Sequence, residues 1–359
     1  MKKIDIYIIK KFLSSFFLII ALLIIILIVF DFSERIDDFM EKDAPLKEII
    51  FVYYLNFIPY FINLFSALLT FIAVIFFTAK MASNTEIIAI LSSGVSFRRL
   101  LFPFIFSALL IAIFSFILSN FIIPPANKKR LEFTYKYLKN TSHYKDRDIH
   151  LQISPGVYAY VEYFNDLTNV GSRFTLEHIE NEKLTSKITA DILRWDSTGK
   201  KWTFENYWIR TIKDTNETIT RGSKLDTVLS ILPNDFYRTL DEVETMNYFQ
   251  LNKFIAKEKL KGSNNIDVYL LEKYRRVAFP FSTLVLALIG VSISSRKVRG
   301  GIGYHLGAGI ALSFIYILFM QVITTISIYG GKIPVAIAVW IPNIIFILIA
   351  FYLLRIAPK

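Results

Sequence analysis

Residues 83–99, Ser-Asn-Thr-Glu-Ile-Ile-Ala-Ile-Leu-Ser-Ser-Gly-Val-Ser-Phe-Arg-Arg, hold the clearest grouping of side chains able to act on a partner. Ser83 and Glu86 stand at capping-box spacing, Ile87, Ile88, Ile90 and Leu91 make an apolar stripe, and Gly94 suits a helix end. Such a helix can lie on a bilayer with Glu86 as its N-terminal cap. It can also dock its stripe into a groove on a soluble ATPase, with Glu86 meeting a basic residue across the interface. Both can hold at once.

Other reactive groups are sparse. Zero cysteines exclude disulfides, thiol catalysis and Cys-ligated metals. His143, His150 and His178 are scattered without metal-ligand spacing, and His305 reads as a hydrogen-bonded residue near the start of an apolar run. GxxxxGK[ST], HExxH and GxSxG are missing, so no catalytic, cofactor-binding or metal-binding residue is expected. If ATP drives the protein, another subunit hydrolyses it.

Six uncharged runs must position these groups: Phe12 to Phe30, Ile49 to Ala79, Leu100 to Ile123, Val277 to Ser295, Ile302 to Tyr329 and Ile333 to Leu354. Each reaches the roughly 18 apolar residues of a bilayer crossing, and 54% hydrophobic residues with 33 Phe agree with a multi-span membrane protein. A transporter run on an ion gradient normally carries ionisable groups inside its spans. Their lack here places the energy source elsewhere. The second run exceeds the hydrocarbon thickness and must tilt, kink at Pro59 or project beyond it. Gly303 and Gly307 give the fifth run small-xxx-small spacing for close helix packing. Trp340, Pro342 and Asn343 put an aromatic, a kink and an amide in the sixth, where Asn343 can serve backbone groups freed near Pro342.

The net charge of +11 is a topological signal. With the N-terminus cytoplasmic, nearly all of it falls on the termini and the short loops at 80–99 and 296–299, whereas the loop Asp31 to Glu48 is acidic. Excess Lys and Arg in short cytoplasmic loops sets orientation, so no nucleic acid is implied. Both termini then lie in the cytoplasm and the polar segment between the third and fourth spans lies outside. Residues 2–11 read as a short interfacial helix, and the first span as a retained helix without a cleavage pattern.

That polar segment reads as strands. Gly156 to Tyr163, Arg173 to Ile179, Leu184 to Trp195, Lys201 to Ile212 and Glu217 to Leu229 are rich in β-branched and aromatic residues, with turn signals such as Asp196-Ser-Thr-Gly199 between them. Short strands at this spacing predict an all-β sandwich or jelly roll. Residues 247–261 predict an amphipathic helix ended by Gly262. The chain thus divides into an N-terminal membrane half (1–123), a β domain with its helix (124–264) and a C-terminal membrane half (265–359).

With these segments in hand, the chain resembles the LptF/LptG family, permeases of the lipopolysaccharide-extracting ABC transporter. The likeness rests on Tyr7-Ile-Ile-Lys-Lys-Phe12, Asn84 to Ser96, Glu272 to Pro280, Gly290 to Gly301 and Trp340-Ile-Pro-Asn343. It implies six transmembrane helices with a periplasmic β-jelly-roll between the third and fourth. It also implies a second permease subunit, a cytoplasmic ABC ATPase dimer, periplasmic bridge proteins, and lipopolysaccharide or a related glycolipid as cargo. Glu86 matches the acidic residue of the family's coupling helix, with Ile87, Ile90, Leu91 and Gly94 around it. The first and fifth helices inherit a lateral gate, marked by Phe30, Arg35, Gly303 and Gly307. Where family members often place several bases near Arg35, this chain has Asp31, Glu34, Asp37 and Asp38. Two other readings are a membrane-anchored assembly scaffold, which would show no lipid-dependent ATP hydrolysis, and a secondary transporter active without any ATPase.

Overall fold

Apolar runs free of glycine and proline propagate as helix until something stops them, and the first such run shows how far that goes. The computed structural model describes residues 3–138, 147–165, 168–180, 182–213, 216–233, 236, 243–260, 265–296, 301–331 and 333–356. Helix α1 runs unbroken from Lys3–Glu41. The separate interfacial helix expected over residues 2–11 is therefore not formed. Ile8, Phe12, Phe16 and Ile20 repeat every four residues along one buried stripe, so the basic start continues the span's own helix.

Helix α2 (Leu46–Ser83) and helix α4 (Phe97–Tyr137) extend beyond their charge-free runs in the same way. Each contains one π turn, at Ile49–Tyr54 in α2 and Leu118–Ile122 in α4. Both π turns precede prolines. Pro59 cannot donate to the Leu55 carbonyl, and the widened turn ends just before that carbonyl. In α4, Pro124 and Pro125 open a fresh α segment, where proline is compatible, so the helix passes Ile123 and reaches Tyr137. Between α2 and α4 lies the short helix α3 (Glu86–Ser92). Helix α5 is Tyr248–Leu260, and α6 (Ile266–Ser294), α7 (Gly301–Gly330) and α8 (Val335–Ile356) complete, among the described residues, six helices long and apolar enough to cross a membrane. Gly262, expected to end α5, lies outside the described residues, as do His143 and residues 297–300 of the basic loop.

Among the described residues six strands stand between α4 and α5: β1 (Arg147–Ser154), β2 (Val157–Asn165), β3 (Val170–Glu180), β4 (Lys183–Asp196), β5 (Lys201–Lys213) and β6 (Asn216–Thr227). Their order in the sheet is the order in the chain, every neighbour antiparallel. A jelly roll crosses strands between two sheets, whereas the described strands form one meander because each short turn returns the chain beside the strand just left. Within β3 the residue Arg173 has a left-handed backbone, φ 50. The inward alternation shifts there: Gly171 is buried before it, Phe174 and Leu176 after it. The sheet's core gathers Val161, Phe174, Trp202, Phe204, Ile231 and Phe236, and the Trp202 indole donates to the Ile231 carbonyl at 2.9 Å.

The chain forms two compact units, Met1–Leu138 with Glu244–Tyr248 and Leu270–Lys359, and Lys139–Val243 with Phe249–Tyr269. In the helical unit one core joins α1, α2, α3, α4 and α6 through Phe12, Phe16, Val74, Ile87, Phe104 and Val291. A second joins α2, α6, α7 and α8 through Phe71, Ile75, Ile289, Tyr316 and Phe346. An aromatic cluster of Phe39, Tyr53, Tyr54, Phe57, Phe133 and Tyr137 ties α1, α2 and α4 at their far ends.

Candidate functional site

The loop singled out in the sequence becomes α3, built differently from expectation. Ser83 closes α2 and Thr85 is the N-cap, in left-handed backbone at φ 64, with no capping hydrogen bond from its side chain. The capping box therefore does not form, because the chain turns at Asn84 and Thr85 before Glu86 opens the helix. Both Glu86 carboxylate oxygens accept instead from other groups: the Tyr7 hydroxyl at 3.2 Å and the Asn84 amide at 3.2 Å. Ile87 is 1% exposed, and Ile90 and Leu91 pack on the same core. The stripe thus faces the protein's own membrane core, and Ile88 is the isoleucine of α3 left exposed. Gly94 ends the turn at φ 85, its N–H donating to the Leu91 carbonyl at 3.0 Å.

Next to α3 lies an ion pair that sequence reasoning missed. Arg99, in the first turn of α4, donates through both terminal nitrogens to both Asp5 oxygens, at 2.8 and 2.6 Å, and Asp5 is only 3% exposed. Ser96 caps α4 by accepting from the Arg99 N–H at 3.4 Å. Nothing in the local pattern marks Asp5 and Arg99 as partners.

Helices α1 and α7 are the least enclosed of the six, with 22% and 17% of their most apolar stretches buried against 33–67% in the others. Both pack on α2. Between them runs a groove of about 460 Å³, with Lys11, Ser14, Leu18, Phe76, Lys80 and Leu306 in its lining. Further along α1, Phe30 is 71% exposed. Arg35 donates to Asp31 at 2.9 Å, and Asp31 also accepts from Tyr53 at 3.3 Å and Tyr54 at 3.2 Å. The acidic rim thus holds its own base. A Cβ added at Gly303 or Gly307 would meet nothing within 4 Å. The close packing expected there falls instead on Gly309, where a Cβ would overlap Ile75 Cδ1, and on Gly290, where it would lie 2.9 Å from Phe71.

In α8 the Trp340 ring meets Phe281 edge-on at 5.5 Å. Asn343 does not serve the backbone beside Pro342. It accepts from the Tyr316 hydroxyl at 2.9 Å and donates to the Ala278 carbonyl at 3.1 Å, tying α6, α7 and α8 together. His305 fits its sequence reading, bonded at 3.0 Å to the Arg296 carbonyl.

A polar cavity of about 90 Å³ was also missed; Tyr60, Asn63, Ser119, Asn127, Glu272 and Arg276 are among its lining residues. Asn63 donates to Ser119 at 2.9 Å and accepts from Ser115 at 2.6 Å. Arg276 donates to Glu272 at 2.9 Å and to the Met246 carbonyl at 2.6 Å. The signal inside the uncharged runs was Asn63 with Ser119, polar groups that a search for Asp, Glu, Lys and Arg passes over.

Among the described residues no group of three or more His, Asp or Glu side chains could hold a metal ion. Among the described residues the chain thus has six apolar helices, two of them weakly enclosed on α2, and a sheet inserted between the third and fourth. The family model "Lipopolysaccharide export system permease LptF/LptG" matches residues 6–356. The chain belongs to the LptF/LptG family. As an LptF/LptG permease it is a multi-pass inner-membrane protein and a component of lipopolysaccharide export. No match was found among curated proteins.

Proposed function

We propose that this LptF/LptG permease takes lipopolysaccharide or a related glycolipid from the inner membrane through the groove between α1 and α7, paired with a second permease subunit. Both termini and α3 lie in the cytoplasm, where α3 with Glu86 meets a dimer of ABC ATPases. The six-stranded domain lies in the periplasm and hands the lipid to bridge proteins. ATP binding in the partner shifts the population toward a collapsed groove, and the acyl chains are expelled toward the sheet domain. Because Ile87, Ile90 and Leu91 are turned into the core, their part in coupling is to seat α3, leaving Glu86 and Ile88 to face the ATPase. Arg35 is engaged by Asp31, so bases for lipid phosphates come from the paired subunit or the lipid carries few of them.

The observation that carries this reading is the low enclosure of α1 and α7 on either side of an apolar-floored groove, a surface that acyl chains can cover. A photocrosslinking residue placed at Leu18 or Leu306 in the assembled complex is expected to capture lipopolysaccharide, and capture is expected to fall when ATP is added. The same residue at Phe12, buried in the core, is the control. Equal labelling at all three positions would sink the assignment of the groove.

A further inference from the structure

We infer that the first turns of α1 join the coupling helix to the gate helix as one moving body, with Tyr7 as the positioning residue for Glu86 and the Asp5–Arg99 pair as its pivot. The inference rests on the reading that Glu86 meets the ATPase.

Three observations carry it. The Tyr7 hydroxyl and the Asn84 amide occupy the two carboxylate oxygens of Glu86, each at 3.2 Å, so the carboxylate is aimed before any partner arrives. The bidentate Arg99–Asp5 contact fixes angle as well as distance between α1 and the start of α4, since a planar guanidinium matches a carboxylate in one orientation only. Ile8 and Phe12 of α1 share one packed core with Ile87 of α3, which closes the triangle with apolar contact.

Beyond these contacts α1 continues as a rod. No glycine or proline interrupts Lys3–Glu41. A displacement imposed at Tyr7 therefore reaches Phe30, about 35 Å away at 1.5 Å per residue, without a hinge to absorb it. The same helix is addressed by the coupling carboxylate at one end and exposes its gate face at the other. The lateral gate then opens and closes directly with α3, with no relay through α2.

The test uses the whole complex, permease pair with its ATPase, in vesicles containing lipopolysaccharide. Tyr7→Phe keeps the ring beside Phe77 and removes only the hydroxyl. It is expected to leave ATPase co-purification and basal ATP hydrolysis unchanged while lipopolysaccharide released per ATP falls roughly tenfold, the scale of one charge-assisted hydrogen bond. The chain has no cysteine, so Ile4→Cys with Ala89→Cys, two exposed positions lining one groove beside Glu86, can be joined by a short bismaleimide. That cross-link is expected to leave release intact in the otherwise native chain and to restore it in Tyr7→Phe, a rescue that a merely destabilised helix would not show. Native release per ATP in Tyr7→Phe, or abolition of release by the cross-link in the native background, overturns the inference. Glu86→Arg serves as the separate control. If it still recovers the ATPase in full, the docking reading fails, whatever Tyr7→Phe does.

Discussion

Asn343→Ala removes a side chain of α8 that hydrogen-bonds to both α6 and α7. Asn343 is 0% exposed, accepting from Tyr316 at 2.9 Å and donating to the Ala278 carbonyl at 3.1 Å. Truncation leaves the two outcomes unequal. The Tyr316 hydroxyl loses its acceptor and keeps only the Ser282 hydroxyl beside it, a loss of about 1 kcal/mol for one hydrogen bond. The Ala278 carbonyl belongs to a helix and keeps a second lone pair, so its loss is nearer the average for interhelical hydrogen bonds in membranes, roughly 0.6 kcal/mol. The cavity left by the amide adds a further contribution, so the total is expected at about 2–4 kcal/mol. Tyr316→Phe alone strands only the Asn343 oxygen and is expected to cost about 1 kcal/mol. The two changes share a contact, so the double variant should cost less than the sum, with a coupling of about 0.6–1.7 kcal/mol. Reversible unfolding in mixed detergent micelles, followed by the Trp340 environment at the neighbouring Phe281 contact, gives all four corners of the cycle. Strict additivity, or an Asn343→Ala cost below about 0.5 kcal/mol, would refute the three-helix tie.

Two further outcomes are expected. Gly309→Val should lower thermal stability of the purified chain, because its Cβ would overlap Ile75 Cδ1, whereas Gly307→Val should leave stability unchanged and reduce lipid capture or subunit pairing; equal melting losses would show that both glycines pack alike. In the sheet domain, Lys201 and Thr203 hold the Asp226 carboxyl below the usual range, and the Thr198 hydroxyl with backbone N–H groups does the same for Asp196. A lowered folded pKa contributes stability above the unfolded value, about 3.9 for Asp, and loses it as pH falls through the folded value. Sheet unfolding, read from Trp195, Trp202 and Trp208 fluorescence, should therefore weaken below about pH 4, and Asp226→Asn should flatten that slope. A slope unchanged by Asp226→Asn would remove this cause.

Most of the architecture was legible in the chain because it follows from local rules. Uncharged runs longer than a bilayer mark the spans, and β-branched alternation between turn residues marks five of the six strands. The strand missed, β1, alternates at Ile149, Leu151 and Ile153 with His150 and Gln152 between them, but the pattern spans only five residues and holds no aromatic or threonine. The helix extensions past Phe30 and Ile123 were missed for a related reason. Charge ends an apolar run, but it does not end a helix whose backbone remains hydrogen-bonded.

By itself the sequence determined the six spans, the inserted β region and, through motifs distributed over its length, the family. Tertiary structure alone decided which side chains meet. Tyr7 reaches Glu86 across 79 positions, Arg99 reaches Asp5 across 94, and Asn343 reaches Ala278 across 65. For the last two, with Asp5 and Asn343 buried, the physical reason is the same. A polar group buried in an apolar bundle must find a partner. Periodicity fixes only which helix face carries it, whereas helix packing fixes what stands opposite. The same packing chose Gly309 over Gly303 and Gly307 as the point of close approach, and turned the isoleucine stripe of α3 inward, away from any partner.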